Sequence, residues 1–385
     1  MQGAKLGSES KMKSTDKWVF FSALPPFRGG IAKFSARTLQ ALSQSKDVKS
    51  FTFRKQYPDI LFPGTSQFEP DVNDEVAERI VSTFNPITYL TSLLRIRQER
   101  PTVFVTSYWM TFMSPLMVFW ALFLPKGTKK IAIIHNLIPH EKRFFDALFN
   151  RMFLNAYDIF IVLSSAVQQD VLSYKPSANV VLLSHPPYEA EGTLLSKAQA
   201  RTQLGLDPHK KTLLFFGLIR TYKGLAELIA AFGRLDDSYQ LLIAGEVYGD
   251  AQFYMEALNE LPNPNWKFVN RYLPDTEVDL YFAAADLVVL PYLSATQSGI
   301  RALALSQKRA VLCTNVGGLA EGLVSSGQGF DLLSTDPNSF ADRIQSLFNQ
   351  GDIEKCNAYL ATLNIDHNDA WLSFAKGLIH FAEEA

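Results

Sequence analysis

Arg220 and Lys223 stand three residues apart in the stretch "TLLFFGLIRTYKG", Thr212 to Gly224. Leu213 to Phe216 is a run of β-formers, Gly217 ends it, and Gly224 opens a segment of helical spacing. A buried strand, a glycine, two cations and a helix start together make a place to hold phosphate. The helix N-terminus offers unpaired N–H groups and the positive end of its dipole, and the cations add formal charge. An ordinary strand–turn–helix with two solvated cations would read the same way, so the rest of the chain has to decide. A second turn of this kind lies near the start, where "WVFFSAL" (Trp18–Leu24) is followed by Pro25, Pro26, Gly29 and Gly30 and then by helical spacing from Ile31 to Leu42. Strand, Gly-Gly turn, helix is how an open α/β sheet meets its ligand, although a plain turn with φ above zero also demands glycine. The pattern is not GxGxxG, so a dinucleotide fingerprint is absent.

The strand in "KKIAIIHNLIPHE" (Lys129–Glu141) runs out into His135, Asn136, Pro139, His140 and Glu141. Titratable residues just past a strand's carboxyl end sit where α/β folds place ligands. His135 is the favoured functional candidate and His140 is left open, a hydrogen-bonded structural histidine being the competing reading of each. Pro139 separates them and their spacing is not that of HExxH, so they do not form that metal motif.

These candidates need a framework. "AYDIFIVLSSAVQQDVL" reads as strand then helix, with Ser164 or Ser165 as N-cap, and "NVVLLSHPPYE" as a strand closed by His185, Pro186 and Pro187. Phe51–Phe53 is a further possible strand, and the looser region from there to about Pro101 stays unassigned. The second half alternates more clearly, through "YQLLIAGE", "WKFVNRYLPDTEVDLYFAAA" and "DLVVLPYLSATQSGIRALALSQKRAVLCTNVGGLAEGL". A helix over Asp336–Asn349 and an amphipathic one at the end complete it. The strands are apolar throughout, as in a parallel sheet covered on both faces.

At 385 residues, 47% hydrophobic and 19% charged, the chain has material for two cores. Lys plus Arg is 37 against 38 for Asp plus Glu, and a net charge of −1 gives no reason to expect nucleic acid. Cys313 and Cys356 form no CxxC pair, which suits a reducing cytoplasm. No signal peptide is visible, and residues 1–17 read as a disordered tail. Val103 to Pro125 holds no charged residue, so a membrane span must be weighed. Its first part looks like a strand, Pro115 fits a helix's first turn, and the helix left over is too short to cross a bilayer. A buried core helix is the leading reading; Arg95, Arg97, Arg100, Lys126, Lys129 and Lys130 around it keep open an apolar surface dipping into an anionic membrane face.

"FFGLIRTYKG", "AGE", "YFAAADLVVLPY", "SATQSG" and "AVLCTNVGGLAE" follow one another at the spacings of the nucleotide-binding domain of family 4 glycosyltransferases. "PPFRGGIAKFSARTL" and "HNLIPHE" look like that family's acceptor-side domain, so the chain resembles the family from Trp18 onward. The resemblance implies an α/β GT-B fold, two Rossmann-like doubly wound domains facing across a cleft. Residues 18–188 would be the acceptor-side domain, 189–365 the nucleotide-sugar-binding domain, and 366–385 a helix packing back on the first. It also implies that Arg220 and Lys223 grip the donor diphosphate, that Gly29 and Gly30 approach it from the other domain, and that His135 lies near the donor sugar. Gly217, Glu246, Arg271, Tyr272, Thr296, Gln297, Ser298 and Gly299 would complete the donor site. One departure matters. Where the family commonly has two glutamates eight positions apart, this chain has Ala295 and Leu303, and its "ATQSG" loop resembles a subgroup of the same family.

The expectation is a sugar transferase acting with retention, with Arg220, Lys223 and His135 as catalytic residues, in surface polysaccharide or glycolipid assembly. A nucleotide sugar would be co-substrate and a sugar or lipid-linked sugar the acceptor. No cofactor is expected and, without a DxD-like acidic cluster, no metal. The location would be cytoplasmic, with peripheral contact at an anionic membrane face. The rival is a non-catalytic sugar-nucleotide binder or partner subunit, motivated by Ala295 and Leu303. A glycoside hydrolase would need paired carboxylates, and nothing pairs Glu141 with Glu246.

Overall fold

The computed structural model describes residues 16–57, 66–69, 76–139, 143–188, 195–364 and 366–384. Strand β1 (Lys17–Phe21) carries large apolar side chains at every position after its first, so both of its faces must be covered. Val19 and Phe21 enter one apolar cluster and Trp18 and Phe20 another, the alternation that a strand's two-residue period imposes. The chain continues through α1 (Gly30–Leu42), β2 (Asp47–Lys55), β3 (Glu78–Ser82), α2 (Ile87–Gln98) and β4 (Val103–Tyr108). Then come α3 (Ser114–Phe123), β5 (Lys129–Ile134), α4 (Asp146–Ala156), β6 (Ile159–Val162), α5 (Ser165–Tyr174) and β7 (Asn179–Leu182). The strands pair in parallel as β3-β2-β1-β4-β5-β6-β7. Leu93 and Ile96 of α2, Trp120 of α3 and Phe153 of α4 fill the core on one face, and Phe34 and Leu39 of α1 lie in the core on the other.

The second half builds a second sheet by the same rule. Its elements are α6 (Lys197–Leu204), β8 (Lys211–Phe216), α7 (Leu225–Phe232), β9 (Tyr239–Ala244), α8 (Ala251–Asn259), β10 (Trp266–Val269), α9 (Asp275–Ala284) and β11 (Leu287–Leu290). They are followed by α10 (Gly299–Ser306), β12 (Ala310–Thr314), β13 (Gly329–Leu332), α11 (Pro337–Asn349) and α12 (Asp352–Thr362). Strand order is β10-β9-β8-β11-β12-β13, with Leu213 and Phe215 of β8 buried on one side and Leu214 and Phe216 on the other. The last helix, α13 (His367–Glu384), packs back on α1. Trp371 and Phe374 meet the Phe34 ring at 5.3 and 5.5 Å between centroids, and the Trp371 indole donates to Pro187 O at 3.0 Å. The protein is therefore two doubly wound parallel sheets with a helix returning to the first.

Both sheets reverse strand order about a central strand, between β1 and β4 and between β8 and β11. At such points the loops leaving neighbouring strands diverge and open a crevice past their carboxyl ends. Gly29–Gly30 follow β1, Gly217 follows β8, and residues 291–298 follow β11, so the sequence candidates sit at both openings.

Some expectations are corrected. β1 begins at Lys17, inside the segment read as a tail, and the Asp16 carboxylate already accepts from Thr102 and Lys46; residues 1–15 lie outside the described residues. β3, α2, α4, α8, β13 and α12 had no assignment from sequence. Val103–Pro125 resolves into β4, a short 3₁₀ turn at Thr111–Met113, and α3 with Pro115 in its first turn. Among the described residues no helix is long and apolar enough to cross a membrane. His140 and Glu141 lie outside the described residues.

Candidate functional site

A cavity of about 720 Å³ lies between the two sheets. The first domain contributes Phe27, Gly29, Gly30 and Lys33, and the second contributes Gly217, Lys223, Glu246 and Tyr272 to its lining, together with Gln297, Ser298 and Gly299.

Two helix N-termini enter this space from opposite domains. Helix α1 starts after Gly29, whose φ of 101° only glycine adopts readily, and no side chain caps it. A Cβ at Gly29 or Gly30 would meet nothing within 4 Å, so the helix start borders open space. Helix α10 starts at Gly299 behind Ser298, whose hydroxyl accepts from Arg301 N at 3.3 Å and leaves the other first-turn donors without a side-chain partner. Unpaired N–H groups and the positive dipole end make each a site for an anion.

Lys223 reaches the cavity from a 3₁₀ turn, Thr221–Lys223, that Arg220 begins and Gly224 ends. Gly224 has φ 71°, and a Cβ there would lie 1.9 Å from Pro291 O, so only glycine lets this turn press against the chain leaving β11. Leu293 N donates to Tyr222 O at 2.7 Å and locks the two segments together. The Lys223 ammonium lies 5.4 Å from the centroid of Tyr292. Burial, then the neighbouring Arg220, lowers its pKa to about 8. Such a cation keeps its proton at neutral pH and gains from meeting an anion. Arg220 itself lies over the Tyr248 ring at 5.2 Å and is not part of the cavity lining.

Polar contacts between the domains close one side. Tyr272 donates its hydroxyl to Glu69 at 2.5 Å, and Lys33 reaches Asp275 at 3.0 Å. The Arg28 guanidinium sits 4.2 Å over the Tyr272 ring and 3.6 Å from Glu246. Burial raises the Glu69 carboxyl above the usual range, against the opposing effect of the Tyr272 hydroxyl. Arg271, predicted beside Tyr272, is instead exposed and paired with Glu277. Its side chain turns to the acid on α9, away from the lining.

His135 is 4% exposed, edge-on to Phe34 at 4.8 Å. Gln297 Nε2 donates to its Nδ1 at 3.4 Å and Thr296 donates to its carbonyl at 3.3 Å, so the predicted β11–α10 loop and the predicted histidine do meet across the domains. With Nδ1 accepting, Nε2 carries the hydrogen, and among the described residues it has no hydrogen-bond partner. Burial, then the nearby His185, lowers the pKa of His135 to about 3, so the ring is neutral. His135 and Thr296 stand behind the lining and not in it.

Ala295 and Leu303 both line the cavity, with Ile300 beside them, so this wall is apolar. Among the described residues, no group of three or more His, Cys, Asp or Glu side chains is placed to hold a metal. Sequence reading missed Arg28, Lys33 and Glu69. Lys33 was within reach, one turn past Gly29–Gly30 on the same helix. Glu69 lay in the unassigned proline-rich region and carried no signal.

Residues 196–360 match the family model described as glycosyl transferases group 1. The likeness is to glycosyltransferases. A D-inositol 3-phosphate glycosyltransferase of Corynebacterium diphtheriae is 25% identical over 53% of this chain and 48% of its own. A putative teichuronic acid biosynthesis glycosyltransferase, TuaC, of Bacillus subtilis is 29% identical over 34% of this chain and 31% of its own. The chain thus spans less than half the length of these curated glycosyltransferases. Among solved structures, sucrose-phosphate synthase from Thermosynechococcus elongatus superposes with a TM-score of 0.71 at 17% identity, over 96% of this chain and 100% of that one. Anabaena HepE in complex with UDP-glucose gives 0.70 at 16% identity, over 94% and 99%. At those identities the likeness establishes the fold, which is GT-B.

Proposed function

We propose that the protein transfers a hexosyl group from a nucleotide-diphosphate sugar to an acceptor hydroxyl with retention, in surface polysaccharide or glycolipid assembly. The observation that carries the reading is the convergence of Lys223 and two uncapped or half-capped helix N-termini on one interdomain cavity. The barrier in such a reaction is cleavage of the anomeric C–O bond while charge builds on the departing diphosphate. Donors already aimed at that charge lower the barrier, because nothing has to reorganise when it appears. Lys223 would supply the formal charge, the first turns of α1 and α10 the N–H groups, and Arg220 a second cation reached when the turn shifts. Neutral His135, behind the lining, would act on the sugar through Gln297, whose amide donates to its Nδ1.

Among the described residues the wall formed by Ala295, Ile300 and Leu303 offers no carboxylate as a base, and Glu69, Glu246 and Asp275 in the lining are drawn into contacts between the domains. The departing phosphate oxygen would itself take the acceptor proton on the same face, which retains configuration. The contacts Arg28–Glu246, Tyr272–Glu69 and Lys33–Asp275 would keep water from hydrolysing the donor. With the phosphate charge met by Lys223 and helix termini, a metal is not required, and we propose metal independence. HepE is described in complex with UDP and UDP-glucose, which supports a nucleotide-sugar donor here.

The apolar wall also favours a second reading, a sugar-nucleotide binder without turnover. Thermal stabilisation by a panel of nucleotide sugars tests the first half of the proposal, since a donor that binds only the folded state raises its melting point. Stabilisation by a nucleotide sugar with release of nucleoside diphosphate in the presence of acceptor supports transfer; stabilisation without release supports the binder; no stabilisation by any overturns both.

A further inference from the structure

Helices α2, α3 and α4 lie side by side over one face of the first sheet, with α3 touching both neighbours. Their inner sides fill the core, yet their outer sides are apolar too. On α2, Ile87, Leu90 and Leu94 recur at i, i+3 and i+7 and are each more than half exposed. On the α4 side, Phe144, Leu148 and Met152 recur every four residues, and Phe144 is 98% exposed. Leu122 and Phe123 end α3 between them, held to α2 by the Arg97 guanidinium, which donates to Phe123 O at 2.9 Å. This is not the segment that the uncharged run Val103–Pro125 pointed to: β4 and most of α3 are buried, and the exposed surface comes mainly from the flanking helices.

The charges around this face are mainly basic; the exposed acid in the turn after α4, Asp158, is paired with Lys130 at 3.4 Å. Among the described residues, the exposed charged side chains on these helices and the turns at their ends near Lys126 and Arg143 are Arg97, Arg100, Lys126, Arg143 and Arg151. The acids present are engaged: Asp146 is buried and accepts from Thr111 and from Arg143 N, and Glu99 pairs with Lys17 and Arg95. Eight exposed apolar side chains on and beside three adjoining helices mark an interaction site. Basic rims around an apolar centre match a layer with negative headgroups over hydrocarbon, where aromatic and aliphatic side chains enter the boundary and Lys and Arg stay at headgroup level.

We propose that this face lies on an anionic phospholipid bilayer. The protein then rests on the membrane without crossing it, in keeping with the lack of a spanning helix among the described residues. The inference deepens the proposed function by naming a lipid-anchored acceptor as the class that such placement would serve, and it rests on that reading only for this last step.

The test is flotation of the full chain with vesicles containing phosphatidylglycerol and with vesicles of phosphatidylcholine alone, without donor or acceptor. Two double variants accompany the wild type, Leu122→Ser with Phe144→Ser and Arg143→Glu with Arg151→Glu; all four side chains are exposed, and circular dichroism checks folding. The wild type should float with phosphatidylglycerol and not with phosphatidylcholine, and added salt should release it. Losing the two basic residues should weaken partitioning at least about 20-fold, at roughly five-fold per residue. The apolar pair should weaken it by more than about tenfold. Wild type left in the soluble fraction with phosphatidylglycerol vesicles overturns the proposal. So does equal flotation of wild type and both variants, or a dimer that forms with concentration and is broken by the Leu122→Ser, Phe144→Ser pair. A protein that floats but turns over no nucleotide sugar keeps this surface and removes only the transfer reading.

Discussion

Replacing Lys223 by methionine should move two measurements in opposite directions. Methionine keeps an unbranched apolar stem beside the Tyr292 ring and removes the charge. Without ligand that charge is a burden: burial, with Arg220 nearby, lowers its pKa from 10.5 to about 8. At 1.36 kcal/mol per pH unit this amounts to about 3 kcal/mol against the protonated form, and solvent access to a partly exposed side chain reduces it to about 1–2 kcal/mol. The unliganded variant should therefore melt a few degrees higher than wild type. The pH dependence has a defined sign. Between pH 8 and 10.5 the unfolded chain holds this proton more firmly than the folded one, so wild-type stability gains with rising pH in that window, and the variant should lack the gain. With a donor diphosphate the effect reverses. Loss of one charge-assisted contact in the transition state costs about 2–4 kcal/mol, or roughly 30- to 1,000-fold in kcat/KM. Differential scanning fluorimetry with and without nucleotide sugar, beside a turnover assay, reads both. A lowered melting point without ligand, together with an unchanged ligand-induced rise, would refute the role given to Lys223.

Gly224→Ala places a Cβ 1.9 Å from Pro291 O at a φ of 71°, so the Lys223 turn must shift; stability should fall by about 1–3 kcal/mol in denaturant titration, with turnover reduced further. His135 and His185 are lowered by burial to about 3 and about 4, so the unfolded chain takes up their protons first as pH falls below about 6.5. The melting point should drop progressively from pH 6.5 toward pH 4, each residue contributing up to about 1.4 kcal/mol per pH unit, and His185→Gln should flatten the decline. Tyr272→Phe removes the hydroxyl that Glu69 accepts from and leaves a half-buried carboxylate short of a donor; the expected loss is about 1–3 kcal/mol in chemical denaturation, and an unchanged midpoint would remove that contact from the closure of the cavity.

The fold was legible where burial on both sheet faces left uninterrupted apolar runs, as in Leu213–Phe216, Leu287–Leu290 and Ile131–Ile134. β3 was not, because "ERIVS" is short, mixed, and an edge strand of its sheet. Candidate site residues attached to glycine turns were placed at the cavity, since a glycine that must adopt positive φ or admit close backbone marks its turn in the sequence. Side-chain direction was not readable: Arg271 follows Glu277 to the surface, and Arg220 lies over Tyr248 outside the lining. Arg28 and Glu69 act across the domain boundary, and a pairing between residues so far apart in the chain leaves no local pattern. The apolar run Val103–Pro125 shows the converse, a strong local signal whose surface consequence falls on α2 and α4.

In the proposed reaction a nucleoside diphosphate leaves against Lys223 and its neighbours in the interdomain cavity. Release of nucleoside diphosphate from a panel of nucleotide sugars, with an acceptor extract, tests it most directly in wild type, Lys223→Ala and Arg220→Ala. Turnover of at least one donor by wild type, reduced about 30-fold or more in both variants, is the predicted result. Near wild-type release by both variants would contradict it.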